Sequence, residues 1–96
     1  MTHGIEFHPA AFKEWNRLDN AIKRRLGMKL EGRVASPRNA KDALAGSLAG
    51  CFKIKDSVSG YRLIYEVLDD VMIVIVLSVG QREKLKAYVV AARRRE

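Results

Sequence analysis

The chain has 96 residues, enough for one hydrophobic core and not for two, so a single domain over residues 1–96 is expected. Its content, 48% hydrophobic and 30% charged, is that of a globular protein, and no apolar run approaches the roughly 20 residues of a membrane helix. The 18 Lys and Arg against 11 Asp and Glu leave a formal charge of +7, which favours a polyanion, nucleic acid first, or an acidic protein as partner.

The opening "GIEFHP" alternates Ile5 and Phe7 with Glu6 and His8, the period of a half-buried strand, and Pro9 suits the first position of a helix. Ala11, Trp15, Leu18 and Ile22 recur at helical spacing, while Asp19 and Asn20 offer a cap for a second helix. In that second helix Ile22, Leu26 and Leu30 form an apolar row beside a basic row of Arg25, Lys29 and Arg33 at i, i+4 and i+8. Any one of these cations is most simply part of a solvated face; as a row they are candidates for docking on folded RNA. "ASPRN" ends the helix, because Pro37 disfavours helical geometry at Ser36, and the small, Gly-containing "LAGSLAG" continues as a connector.

From Leu48 onward the pattern turns to strands, with turns at Ser57 to Gly60 and at Asp69-Asp70, and the apolar run Val71 to Leu77 reads as a buried strand. After Gly80 the chain returns to helix formers, with Leu85, Val89 and Ala92 at helical spacing. The expected fold is α+β: a small antiparallel sheet of about four strands, two N-terminal helices on one face and a short C-terminal helix, in the order β-α-α-β-β-β-α. The lone Cys51 can form neither an internal disulfide nor a zinc site, so packing is its expected role. With no segment resembling a secretory leader, a cytoplasmic protein with no membrane partner is expected.

Within "CFKIKDSVSGYRLIYEV", a four-residue turn over Ser57 to Gly60 sets Lys55 opposite Arg62 and Lys53 opposite Ile64. Phe52, Ile54, Tyr61, Leu63 and Tyr65 then share the other face, which gives the sheet an oily side and a cationic side. Like charges directly opposite one another cost on the order of 0.2 to 1 kcal/mol, a local conflict of the kind that functional sites carry. Long cations splaying into water would explain the same pattern. Arg82 and Tyr88 follow the last strand closely and can reach the same rim, where Arg forks phosphate and Tyr offers a ring for stacking.

Such a set suits RNA cleavage by the 2′-hydroxyl, which needs a proton acceptor, a proton donor for the 5′-oxygen and stabilisation of charge. Crowded cations also help a lysine exchange protons, since like charge disfavours the ammonium form. No cofactor or metal is expected: His3 and His8 lack obvious partners, Asp69-Asp70 fits a turn, and there is no catalytic triad, phosphate loop or zinc pattern.

"FKEWNRL", "SPR", "CFKIKDSVSGYRLIYEV" and "SVGQREKLKAY" together resemble the RelE-type toxins of the RelE/ParE superfamily over nearly the whole length. Gly60 to Tyr65 carries the wider superfamily pattern; Lys53, Lys55 and the late Arg82 and Tyr88 resemble RelE more specifically. The resemblance implies a ribosome-dependent endoribonuclease that cuts messenger RNA in the decoding site, beside 16S ribosomal RNA. It also implies a RelB-like antitoxin that neutralises the toxin, and contact with operator DNA only through the antitoxin complex. The implied catalytic set is Lys53, Lys55, Arg62, Arg82 and Tyr88, with Arg62 and Arg82 on the phosphate, Lys55 giving the leaving-group proton, Lys53 as base or electrostatic support, and Tyr88 stacking on the message. Lys53 and Tyr88 both remain candidate bases. Two positions depart from the pattern: Ala43 to Gly46 lacks a basic residue before its Gly, and Gln81 stands where Lys or His is usual. The rivals are a ParE-like gyrase inhibitor of the same fold and a non-catalytic RNA-binding protein.

Overall fold

The structure, a computed structural model, describes residues 3–81 and 86–95, the side chain of Lys86 excepted. Chain order runs β1 (Gly4–Phe7), α1 (Pro9–Asn16), α2 (Asn20–Arg33), β2 (Cys51–Lys55), β3 (Tyr61–Leu68), β4 (Ile73–Gln81) and α3 (Lys86–Arg94), with short 3-10 turns at Ala40–Asp42 and Gly46–Leu48. Pro9 occupies the start of α1, where its missing N–H costs nothing. The His8 ring is the cap, Nδ1 accepting from Ala10 N at 3.1 Å. Asp19 caps α2 by accepting from Ala21 N at 3.2 Å.

The sheet order is β1-β4-β3-β2. β2, β3 and β4 form the expected antiparallel meander, but β1 lies parallel to β4, so the sheet is mixed and not wholly antiparallel. The cause is the path of α2. It runs back along the sheet and ends where β1 begins, with His3 N donating to Val34 O at 2.8 Å. β2 therefore starts from the same end as β1, and two hairpin reversals later β4 points the same way. β4 also starts later than expected: Val71 is exposed and Met72 adopts φ 55° in the turn, so the strand begins at Ile73.

One face of the sheet carries Phe52, Ile54, Leu63, Tyr65, Val67, Val74, Val76 and Val79, packed on Ala11, Leu18, Leu26 and Leu30 of the two N-terminal helices and their junction. The opposite face is not simply cationic. Cys51, Ile64 and Leu77 lie there under Leu48 and under Ala87 and Ala91 of α3. A register shift at Ile64/Tyr65 makes this possible, because Ile64 pairs with Ser78 and Tyr65 with Val76. The extra residue, Leu77, leaves both Leu77 and Ser78 on the α3 side, and Ser78 Oγ donates to Ala87 O at 2.7 Å. Gly80 permits the close approach, since a Cβ there would meet Ala87 Cβ at 3.4 Å.

The β2–β3 turn is built on Asp56, which is only 2% exposed. Its backbone N–H donates to Tyr61 O at 2.9 Å and its carbonyl accepts from Gly60 N at 2.8 Å, with Gly60 at φ 81°. Its carboxylate accepts from Arg25 Nε at 2.8 Å and Nη2 at 3.0 Å, and also from Ser59 Oγ. The Arg25 fork, then Ser59, hold the carboxyl well below the usual carboxylate range.

Because the folded state holds this carboxyl low, its contribution to stability is complete above the ordinary value of about 4 and is lost as pH falls below it. Asp56→Asn is expected to cost about 2 kcal/mol at pH 7, the scale of a hydrogen-bonded charge losing its partner. Urea unfolding from roughly pH 7 to pH 3 checks both points: the variant should start less stable and decline less than the wild type on acidification.

Candidate active site

The observed pairing sets Lys55 opposite Arg62 and Lys53 opposite Ile64, the register expected from the turn. Since Asp56 N bonds to Tyr61 O and the Lys55 carbonyl turns away to Lys29 Nζ, Lys55 and Arg62 form a non-hydrogen-bonded pair. That is the closer kind, with Cα atoms roughly 4.5 Å apart. Two cations thus face each other at the tightest spacing the ladder offers.

Along this face burial falls away from α3: Cys51 is buried, Lys53 half-buried and Lys55 exposed. Arg62 stands at the margin between the covered and open parts. Its Nη1 donates to the Tyr88 hydroxyl at 2.7 Å, and its guanidinium carbon lies 5.9 Å from the Tyr88 ring centroid. Its Nε is buried and has no hydrogen-bond partner among the described residues.

Tyr88 owes its position to α3. Besides the apolar contacts of Ala87 and Ala91, Arg94 donates to both oxygens of Glu14, at 2.9 and 2.8 Å, and to Leu77 O at 2.9 Å. Arg95 reaches Glu66 at 3.1 Å and Ser47 O at 3.0 Å. Burial opposes the charge on Glu14, but Arg94 and the Val79 N–H outweigh it and leave the carboxyl below its ordinary value.

Charge is segregated. The described ion pairs engage Arg25, Arg33, Arg38, Arg94 and Arg95 with Asp56, Asp42, Asp69, Glu14 and Glu66, and His3 with Asp69. None includes Lys53, Lys55 or Arg62. Arg82 lies outside the described residues, as does Leu85; Gln81, just before Arg82, is exposed and pairs with Tyr61. His8 and His3 act as cap and Asp69 partner, and no group of three metal-ligating side chains occurs among the described residues.

The basic row on α2 turns toward β2. Arg25 forks Asp56, Lys29 Nζ donates to Lys55 O at 2.7 Å, and Arg33 donates to Asp42 at 2.5 Å, Tyr65 Oη at 3.1 Å and Lys53 O at 3.4 Å. Of the donors at i, i+4 and i+8, the first finds a carboxylate and the other two reach outward carbonyls of an edge strand. Sequence reasoning missed this and the buried Asp56. It also missed the network in which the Tyr65 hydroxyl donates to Pro37 O at 2.6 Å. Pro37 and Tyr65 both lie in the quoted motifs, the one available signal, but no local spacing joins residues 28 positions apart.

The family model for the ParE toxin of type II toxin-antitoxin systems, parDE, matches residues 5–86. The mRNA interferase toxin RelE of Escherichia coli is 39% identical over 94 residues, covering 98% of each chain. A structure of an E. coli RelE double mutant in the free state superposes with TM-score 0.91 at 38% identity, covering 98% of both chains. The same mutant in complex with a peptide of the antitoxin RelB superposes with TM-score 0.81 at 38% identity, covering 95% of both.

Burial under α3 pushes the Cys51 thiol up to about 11, so the native protein is expected to resist an aromatic disulfide reagent at pH 8 and to react on unfolding. Arg94→Met removes hydrogen bonds to a charged partner, a loss of about 1.5 kcal/mol or more. The labelling rate of Cys51, followed by absorbance, should rise about tenfold or more in that variant if α3 is the cover.

Proposed function

The chain belongs to the RelE-type toxins of the RelE/ParE superfamily, and from that premise we propose that it is an endoribonuclease that cuts messenger RNA on the ribosome. The observation that carries the reading is the group formed by Lys53, Lys55 and Arg62. None has a carboxylate partner among the described residues, and the buried Arg62 Nε stands beside the Tyr88 hydroxyl. A protein that needed these cations only for solubility would have no reason to bury a guanidinium donor that has no acceptor among the described residues.

In the proposed reaction the 2′-oxygen attacks the adjacent phosphorus and the bond from phosphorus to the 5′-oxygen breaks. A cyclic 2′,3′-phosphate and a free 5′-hydroxyl result. Arg62, with Arg82, neutralises the charge gathering on the non-bridging oxygens. Lys55, the most exposed of the three and directly opposite Arg62, gives a proton to the leaving 5′-oxygen. Lys53 or Tyr88 takes the proton of the 2′-hydroxyl. Tyr88 also presents its ring for stacking on a base of the message.

The substrate is taken as message held in the vacant decoding site beside 16S ribosomal RNA; the formal charge of +7 and the open cationic part of the sheet support a large polyanionic partner. A RelB-like antitoxin is the proposed inhibitor, and operator DNA is met only through that complex. No described helix is long and apolar enough to cross a membrane. The match to the ParE family model favours one second reading, gyrase inhibition without cleavage. Retention of Lys53, Lys55 and Tyr88, which serve no evident purpose in that activity, weighs against it.

The deciding experiment is cleavage of a defined message on programmed ribosomes with an empty decoding site, set against the same RNA without ribosomes. Wild type should cut only on the ribosome, and Arg62→Ala and Lys55→Ala should each lose about 100-fold or more. Intact message with folded wild-type protein would overturn the reading, and inhibition of gyrase supercoiling would then install the alternative.

A further inference from the structure

α2 and β2 lie antiparallel, with Arg25 beside Asp56 at the end of β2 and Arg33 beside Lys53 near its start. Four residues of helix advance about 6 Å, and two residues of strand about 6.6 Å. A helix row at i, i+4, i+8 therefore keeps step with alternate residues of a strand. Lys29 Nζ meets the carbonyl of Lys55 at 2.7 Å, Arg33 Nη1 meets that of Lys53 at 3.4 Å, and Leu44 N closes the series on that of Cys51 at 3.0 Å. These are the outward carbonyls of an edge strand whose one sheet neighbour is β3.

The two carbonyls held by the row belong to the two lysines of the cleavage site. We propose that Lys29 and Arg33, with Arg25 behind them, are positioning residues for cleavage: they fix the β2 backbone so that Lys53 and Lys55 stand in register with Arg62. The inference rests on the endoribonuclease reading and deepens it. It gives the α2 row a role toward β2 that differs from the expected docking on RNA. Lys29 carries the sharper test, since its bond is short and its side chain is exposed, whereas Arg33 also ties Asp42 and Tyr65.

The test is saturation of programmed ribosomes with toxin, reading the limiting cleavage rate and the half-saturating concentration for wild type, Lys29→Met, Lys29→Arg and Lys23→Met. Lys29→Met should lower the limiting rate about tenfold, the scale on which a small misplacement acts, and leave half-saturation unchanged. Lys29→Arg should restore most of the rate, because a guanidinium also donates to a carbonyl, and Lys23→Met, with the same loss of charge, should match wild type. Weaker half-saturation with an unchanged limiting rate, or no change at all, overturns the proposal; the first result assigns Lys29 to RNA contact. Amide hydrogen exchange on the isolated protein is a second measurement that needs no cleavage. Exchange along β2 should rise about tenfold in Lys29→Met while β4 is unaffected, and unchanged β2 protection overturns the proposal even where wild type itself fails to cut.

Discussion

The carboxylate of Asp56 is the point at which helix, turn and sheet are tied together. Its side chain receives Arg25 from α2 and Ser59 from the turn, and its backbone closes the β2–β3 hairpin. Most of the stabilisation comes from the apolar layer beneath the helices, at about 1.5 to 3 kcal/mol for each large side chain buried. That layer also sets the strand register, since a slip of one residue in the β2–β3 pairing would drive Lys53 and Lys55 into the core face. The Arg25–Asp56 fork adds a directional contact that fixes where along α2 the turn sits.

With that register fixed, the distribution of carboxylates decides what the surface can do. Acidic residues meet arginines at places that need holding: Glu14 and Glu66 at the end of α3, Asp42 beside Arg33, Asp69 beside Arg38. Among the described residues none of them pairs with Lys53, Lys55 or Arg62. The same residue type therefore stands in two kinds of neighbourhood: most described ion pairs hold an Arg to an acid, whereas Arg62 meets the Tyr88 hydroxyl. Tyr88 joins the two economies, since its helix is latched by ion pairs at one end and presents the hydroxyl to Arg62 at the other.

Much of this was legible where the signal is local. Pro9 and Asp19 mark helix starts, the alternation in Cys51 to Val67 yields the pairing of Lys55 with Arg62, and the helical spacing after Gly80 yields α3. What the residues could not reveal depends on contacts distant in the chain. The parallel placement of β1 follows from the direction in which α2 returns, and no residue in β1 encodes that. The cover over Cys51 and Ile64 depends on one extra residue in β4, which leaves no trace in an unbroken apolar run. Val71 and Met72 look like strand residues, yet a turn closing on Asp69 claims them. The α2 row was visible as a pattern, but periodicity records that three cations share a stripe without recording what the stripe faces.

The occupied margin of β2 has a consequence beyond the reaction. An edge strand whose outward carbonyls are free can template the addition of a foreign strand, and in a β-branched-rich sheet this invites misassembly. Here the carbonyls of Cys51, Lys53 and Lys55 already accept from Leu44, Arg33 and Lys29. With these acceptors engaged, that side of the sheet is a poorer template for a further strand. The strand that bears the lysines is thus shielded from self-association by the same helix that sets its register.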